Sequence, residues 1–300
     1  MEKYVGELAA LVTALLWTLS ILAWTSAGKS IGALAVSFIR LLFASVFLAI
    51  TGQITRGLAL PMDASSNAWW CLGVSGLFGL CLADICLFKA CLVIGPRLTL
   101  LVSALSPPLA SILSNVWLGD ALNWQHWVGM LVTLAGICWV VLEQPETDGN
   151  GPVHARRQLA FGILLALLAA VGQAIGGVAA KQGIGDYDAF AATFIRTIGA
   201  LAGYVVLTTL LRRWPAILVA VRNGPAMRTV TFGSFVGPFV GVALYMVALR
   251  HCHVGVVITI TYMMPVMILP FSIFLYHEKV SLRAAAGAIL SVVGIAIMSS

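Results

Sequence analysis

Runs of roughly 18 or more mostly apolar residues, separated by short polar breaks, recur along the whole chain. No other feature constrains the fold so tightly, because a segment of that length and polarity crosses a bilayer as a helix. Inside hydrocarbon every backbone N–H and C=O must find a partner within the protein, which leaves helices and closed barrels as the spanning structures. A barrel strand reads as about ten residues of alternating polarity, and these runs do not alternate. Composition agrees: 61% of the 300 residues are hydrophobic and 9% are charged, where a soluble domain carries roughly 25%. Mean hydropathy is +1.02. The expected fold class is an all-α polytopic membrane protein.

Ten transmembrane helices are expected, at 5–27, 31–51, 68–92, 95–118, 123–142, 158–180, 187–210, 227–250, 253–276 and 281–299. The first is too long for a signal-peptide core, and Lys3 alone is a poor basic leader, so it reads as a retained helix. EQPETDGNGPVHARR (143–157) mixes Pro, Gly, acids and bases and reads as a linker. It divides the chain into five-span halves, 1–142 and 158–300. A second polar segment, 211–228, contains WPAILVAVR, suited to a short helix lying along the interface. No segment is long enough for an appended soluble domain, and no GxxxxGK(S/T) loop offers direct ATP coupling. No cofactor is expected.

The 17 Lys and Arg are spread mainly over short loops without a basic stripe, so the net charge of +6 sets membrane orientation and does not indicate nucleic acid. Let face A be the side of the N-terminus. Face A then carries Lys3, Arg56, Lys181 and Arg250, and face B carries Lys29, Lys89, Arg97, Arg156, Arg157, Arg212, Arg213, Arg222, Arg228, Lys279 and Arg283. By that count face B is cytoplasmic. The six cysteines fall within or at the ends of spans and serve as small apolar residues, with neither a disulfide framework nor zinc spacing. HCH (251–253) makes no metal site, because adjacent residues on a helix diverge by about 100°.

The halves repeat. Ala90 and Ala248, Pro107 and Pro265, Asp120 and Glu278, Gly129 and Gly287, and Gly136 and Gly294 all stand 158 positions apart, and SFIR (37–40) answers TFIR (193–196) at 156. An odd number of spans per repeat makes the halves inverted. Such repeats place the substrate path near the midplane between them, with access alternating by rocking.

At these residues the chain resembles the drug/metabolite transporter superfamily, in its ten-span EamA-type branch. The resemblance is carried by LLWTLS around Trp17, by the FIR arginines Arg40 and Arg196, and by YMVAL (245–249). Its strongest part is the pair of blocks 106–137 and 264–295, each with a Pro, an acid at the helix end and then Gly-x6-Gly. It implies a monomeric bundle whose central cavity is lined by helices one, three, four, six, eight and nine. It also implies secondary transport, often efflux, of amino acids, other metabolites or drug-like compounds across the cell inner membrane, with cytoplasmic termini. One departure stands out: in AAVGQAIG (169–176) the aromatic usual in the sixth span is replaced by Gly and Gln.

Arg40 and Arg196 lie about 12 Å inside their spans. Buried charge in a membrane turns inward and pairs, so each either binds an anion or ties helix ends together through carbonyls. Asp84 and Lys89, in LADICLFKA (82–90), have no counterpart in the second half and sit about 140° apart in helical phase. Lys89 is near a span end and can snorkel to the interface. Asp84 has two readings: a structural ion pair with Arg40, or a cavity carboxylate that binds a cationic group or carries a proton. Trp17, Phe88, Gln173, Tyr245 and Tyr262 are candidate cavity-lining residues, with core or lipid-facing packing the alternative for each. Pro107 and Pro265 are candidate helix kinks. Asp120 and Glu278 precede spans five and ten and are expected to cap them. Trp69, Trp70, Trp124, Trp127 and Trp214 are expected at the interfaces.

The expected function is secondary transport of small organic solutes by export, with protons as a candidate coupling ion. The alternative is an obligate exchanger of phosphorylated or nucleotide-linked metabolites. A polytopic membrane enzyme is the rival class, but no DDxxD, HExxH or GxSxG cluster supports it. A channel lacks the rings of selectivity residues it would need.

Overall fold

The computed structural model describes residues 2–143, 156–264, 266–267 and 282–299, and these form helices joined by short turns. In order they are α1 (Glu2–Ile31), α2 (Ala33–Arg56), α3 (Ser66–Ser75), α4 (Ala83–Ser103), α5 (Ser106–Leu118), α6 (Trp124–Glu143), α7 (Arg156–Ile184), α8 (Ala189–Leu210), α9 (Trp214–Val221), α10 (Gly224–Ser234), α11 (Val242–His251), α12 (Val254–Thr261) and α13 (Leu282–Ser299). A π-helical segment, Gly76–Leu82, fuses α3 to α4, and a second, Phe235–Gly241, fuses α10 to α11. In the second, Pro238 removes a backbone donor, which favours the wider turn.

Seven helices among the described residues are long and apolar enough to cross a membrane: Tyr4–Ile31, Ala33–Arg56, Ser66–Ile94, Thr99–Leu118, Gln158–Ile184, Ala189–Leu210 and Gly224–His251. The other three expected spans begin at α6, α12 and α13, the last holding the shorter apolar helix Ala285–Met298. Most of the linker, together with Pro265, Glu278 and Lys279, lies outside the described residues. The chain is an all-α polytopic membrane protein, and α2 displays its polarity. Leu42, Val46, Ile50 and Ile54 form an exposed stripe at four-residue spacing, while Ser37, Arg40, Leu41, Ala44 and Leu48 are buried. Apolar residues face outward and the ionic group faces in, as lipid demands.

Local chemistry sets the ends. Gly57 and Gly119 terminate α2 and α5 in the left-handed conformation (φ 70° and 66°), a geometry that costs a side chain strain. Ser65, Asp188 and Asn223 cap α3, α8 and α10 by accepting bonds from Ala68, Ala191 and Ala226 N–H. The expected interfacial helix is α9. It buries Ile217 and Ala220, exposes Leu218 and Val219, and Trp214 at its start packs edge-on against Phe38 at 5.6 Å.

Helices meet where side chains are absent. Gly233, Gly237 and Gly241, one turn apart, lie under Trp24, Ser20 and Trp17 of α1. A Cβ on Gly76 would overlap the Arg196 carbonyl of α8, and one on Gly176 of α7 would stand 2.7 Å from Gly79 Cα. Helices α6 and α13 cross through Gly129 against Gly294 and Gly136 against Gly287, with Ser291 Oγ bonded at 3.4 Å to the Thr133 carbonyl. Gly129 and Gly287 stand 158 positions apart, as do Gly136 and Gly294, so shifting each glycine by that offset turns one contact into the other. Helices α2 and α8 run antiparallel: Arg56 at the end of α2 bonds Tyr187 just before α8, and Phe38 near the start of α2 meets Trp214 beyond the end of α8.

Any side chain at Gly136 therefore meets backbone. Gly136→Leu is expected to cost roughly 1–3 kcal/mol, read as a lowered Tm and lost monodispersity in detergent. Nothing surrounds a Cβ at Gly28, so Gly28→Ala should leave Tm unchanged or raise it.

Candidate functional site

Arg40, in the second turn of α2, is 7% exposed, and Arg196, in the second turn of α8, is 2% exposed. Burying a guanidinium is tolerable only with compensation. Arg40 obtains it from Asp84 of α4, whose carboxylate accepts from Nη2, and from the Trp24 ring, whose centroid lies 4.4 Å from Cζ. The π segment positions Asp84. One extra residue per turn shifts the phase of everything after it by about 100°, and Asp84 follows that segment directly.

Arg196 has different company. Its Cζ lies 5.1 Å from the Tyr245 ring, and its Nη2 packs against Gly79 of the first π segment. Tyr245 stacks on Trp17 at 5.6 Å and 31°. Trp17 and Tyr262 are partly buried and pack on the core that contains Tyr245. Gln173 is partly buried on α7 beside Gly172, which meets Phe78 and Ala83. Helix α4 ends at Ala104, directly before Ser106–Pro107, where the prolines occupy the first turn of α5. The matching interruption falls at Tyr262, where α12 ends.

A second polar cluster gathers at the end of the bundle where α1 begins. Asp120, between α5 and α6, pairs with His253 Nδ1 and Lys181 Nζ (3.0 Å), and accepts from Ser114 Oγ (2.9 Å) and Val254 N–H (3.3 Å). Lys181 also reaches the Cys252 carbonyl at 2.8 Å, and His253 stacks edge-on against His126 at 5.2 Å. The carboxylate thus sits at the start of α12 and not at the start of α6, where the sequence placed it. It binds the N-terminus of a helix in the opposite half, because the 119–123 turn folds back over Lys181 and His253. Beside it, Glu7, His126, His251, Cys252 and His253 line a polar cavity of about 310 Å³. Nearby, Arg56 and the Tyr187 hydroxyl (2.9 Å) hold Asp63, while Arg250 donates to the Gly185 and Tyr187 carbonyls. These contacts hold the Asp63 carboxyl below its ordinary value, chiefly through the Tyr187 hydrogen bond. Burial works to raise the Asp120 carboxyl, but the His253 hydrogen bond and the Lys181 ammonium together hold it well below the usual range.

An apolar groove lies elsewhere. About 640 Å³ in volume, it runs between Ser66–Ile94 and α8, lined by apolar residues such as Trp70, Leu77, Val206 and Leu210, and it carries no charged side chain.

A solved crystal structure superposes with a TM-score of 0.74 at 21% identity, covering 97% of this chain and 95% of the other. An "Uncharacterized transporter" of Archaeoglobus fulgidus is 29% identical over 136 residues, 45% of this chain and 47% of the relative, so the match spans about half of that protein's length. The family model for the EamA-like transporter family matches residues 4–142 and again residues 160–300. The chain belongs to the EamA-like transporter family.

In this member of the EamA-like transporter family, the structure brings Arg40 to Asp84 and gathers Trp17, Tyr245 and Arg196. Phe88 stands apart. It is 41% exposed, and the neighbouring Lys89 projects over Phe161 of α7 at 5.6 Å. Sequence reasoning missed Trp24, although its position seven residues after Trp17 puts both on one face of α1. It also missed Tyr204, fully buried within the fields of Asp84 and Arg40, and the Lys181–His253 partnership of Asp120. A lone Lys at a span end looks like any loop charge, so no local signal marked it.

Removing the Asp120 carboxylate strands Lys181 and His253, and Asp120→Asn should cost roughly 1–3 kcal/mol at neutral pH. Its folded pKa is depressed below the ordinary 3.8. The contribution is therefore present above that value and fades as pH falls through the depressed one. Thermal melts in detergent should show the gap between wild type and variant widest near pH 7 and narrowing below about pH 4.

Proposed function

We propose that this EamA-like transporter is a monomeric secondary active carrier of the cytoplasmic membrane. It exports small organic solutes (amino acids, other metabolites or drug-like compounds) by alternating access, in exchange for protons. The reading includes ten spans in two inverted five-helix halves, 1–142 and 158–300, joined by a linker at 143–157. The observation that carries it is the self-matching contact of α6 and α13 through Gly129, Gly136, Gly287 and Gly294, supported by the family model matching the chain twice. Two halves related in this way have two equivalent tilts about one axis, which is what alternating access requires.

Solute is bound between the halves, where Trp17 and Tyr245 offer aromatic surface and Arg40, Asp84 and Arg196 offer charge. Gln173 and Tyr262 complete the polar lining, with Phe88 at its outer margin. Bends before Pro107 and Pro265 supply the hinges. Bonds between the halves gather at face A, where Asp120 meets Lys181 and His253, and Arg56 meets Tyr187. Opening that face breaks them. Asp84 is the coupling group: protonation removes its charge, releases Arg40 and leaves the pair free to rearrange.

Reconstitution tests both parts. Proteoliposomes preloaded with substrate should show accelerated counterflow, which a channel cannot give. Asp84→Asn should retain exchange and lose accumulation driven by a pH gradient; unchanged coupling would remove Asp84 from the mechanism.

A further inference from the structure

We infer that Arg196 is the docking point for an anionic group of the transported solute, a carboxylate or a phosphate; this rests on the transport reading above. The reason is charge. Arg40 and Arg196 occupy matched places in the two halves and both are buried. Among the described spans, Asp84 is the one acid far from a helix end facing either membrane surface, since Glu7 lies in the second turn of α1. Its carboxylate is bonded to Arg40. Asp84 also acts electrostatically on Arg196, but no ion pair to Arg196 forms among the described residues. Two guanidinium groups thus share one carboxylate, and the centre carries one surplus positive charge.

The hydrogen bonds say the same. Nε and Nη1 of Arg196 have no acceptor among the described residues. A structural arginine tying helices together would spend those donors on carbonyl groups. Here the guanidinium is instead wedged between Gly79 and the Tyr245 ring, with the neutral Tyr245 hydroxyl beside it. An uncompensated charge at this depth is costly, and an entering anion is the group that removes the cost. Arginine suits the task, because its planar fork matches carboxylate and phosphate oxygens. Tyr245 and the Trp17 ring stacked on it give the apolar remainder of the solute a surface. A monoanion brings the centre to neutrality, whereas a cation adds to the repulsion. The site therefore selects amphiphilic anions and rejects amphiphilic cations of the same shape.

Matched probes test this on purified full-length protein by thermal unfolding. Benzoate and phenyl phosphate are compared with benzamide and benzylamine, and the two anions separate a carboxylate preference from a phosphate preference. The expected result is a concentration-dependent rise in Tm with at least one anion and none with the amide or amine. Arg196→Gln should weaken that response about tenfold or more, with Arg196→Lys retaining part of it. The inference is overturned if no anion stabilises the wild type, if benzamide or benzylamine stabilises it equally, or if Arg196→Gln responds like the wild type. The wild-type comparison decides even where a variant does not fold. Counterflow keeps the two readings apart: exchange of neutral or cationic solutes without anion binding overturns the role of Arg196 and leaves transport standing. Anion binding lost in Arg196→Gln, with no exchange in the wild type, overturns transport and keeps the anion site.

Discussion

Helices in a bilayer gain nothing from hiding apolar surface from one another, since lipid tails are as apolar as leucine. What holds them is close approach, and close approach needs small residues. This bundle depends on that constraint at each of its central crossings. Gly233, Gly237 and Gly241 receive α1, Gly76 and Gly79 admit α7 and α8, and four glycines join α6 to α13. Each pairing brings an element of residues 1–142 against one of residues 158–300. The halves are therefore interlocked, and the contact at α6 and α13 is where they meet as equals.

Close packing also governs the charges. The Asp84 carboxylate reaches Arg40 because a glycine-rich π segment lets α3 and α4 lie against α7 and α8 before the chain turns its next residues inward. Pairing sets the two arginines apart. Arg40 is compensated and stacked on Trp24. Arg196 is held by the Tyr245 ring and glycine backbone, which exclude water without supplying a counter-charge. Two positions duplicated in sequence have become chemically unlike through their neighbours.

Much of the fold was legible in the sequence because lipid imposes a coarse rule on every residue. Apolar length located the seven spans that are long and apolar enough to cross a membrane among the described residues. The repeated Gly-x6-Gly supplies the glycines at which α6 and α13 cross, a contact the sequence alone did not indicate. The pairing of Arg40 with Asp84 was readable as one of two options, from matching depth in neighbouring antiparallel spans. What escaped depended on distant segments. Asp120 was legible as a helix-capping acid, yet the helix it serves begins at Val254, 134 positions away, and nothing near Asp120 encodes that. Phe88 was a candidate lining aromatic by residue type, with lipid-facing packing as its alternative, and it stands exposed on α4. The π segments were invisible, since a single widened turn leaves no periodic trace.

The sequence relation between the halves separates the positions they share from those they do not. At the 156-position offset that aligns Arg40 with Arg196, Trp17 falls on Gln173. At the 158-position offset of the later helices, Asp84 falls on Val242, Tyr245 on Leu87 and Tyr262 on Ala104. The residues around the two arginines are thus the ones the repeat does not share, while the four glycines of the α6–α13 crossing and the arginines themselves recur in both halves. A rocking carrier needs symmetry in its bearings, because both tilts must be of similar free energy. It needs asymmetry in its binding surface, because a solute has one charged end. In the carrier proposed above, the α6–α13 glycines would meet the first demand and the unshared residues around Arg40 and Arg196 the second.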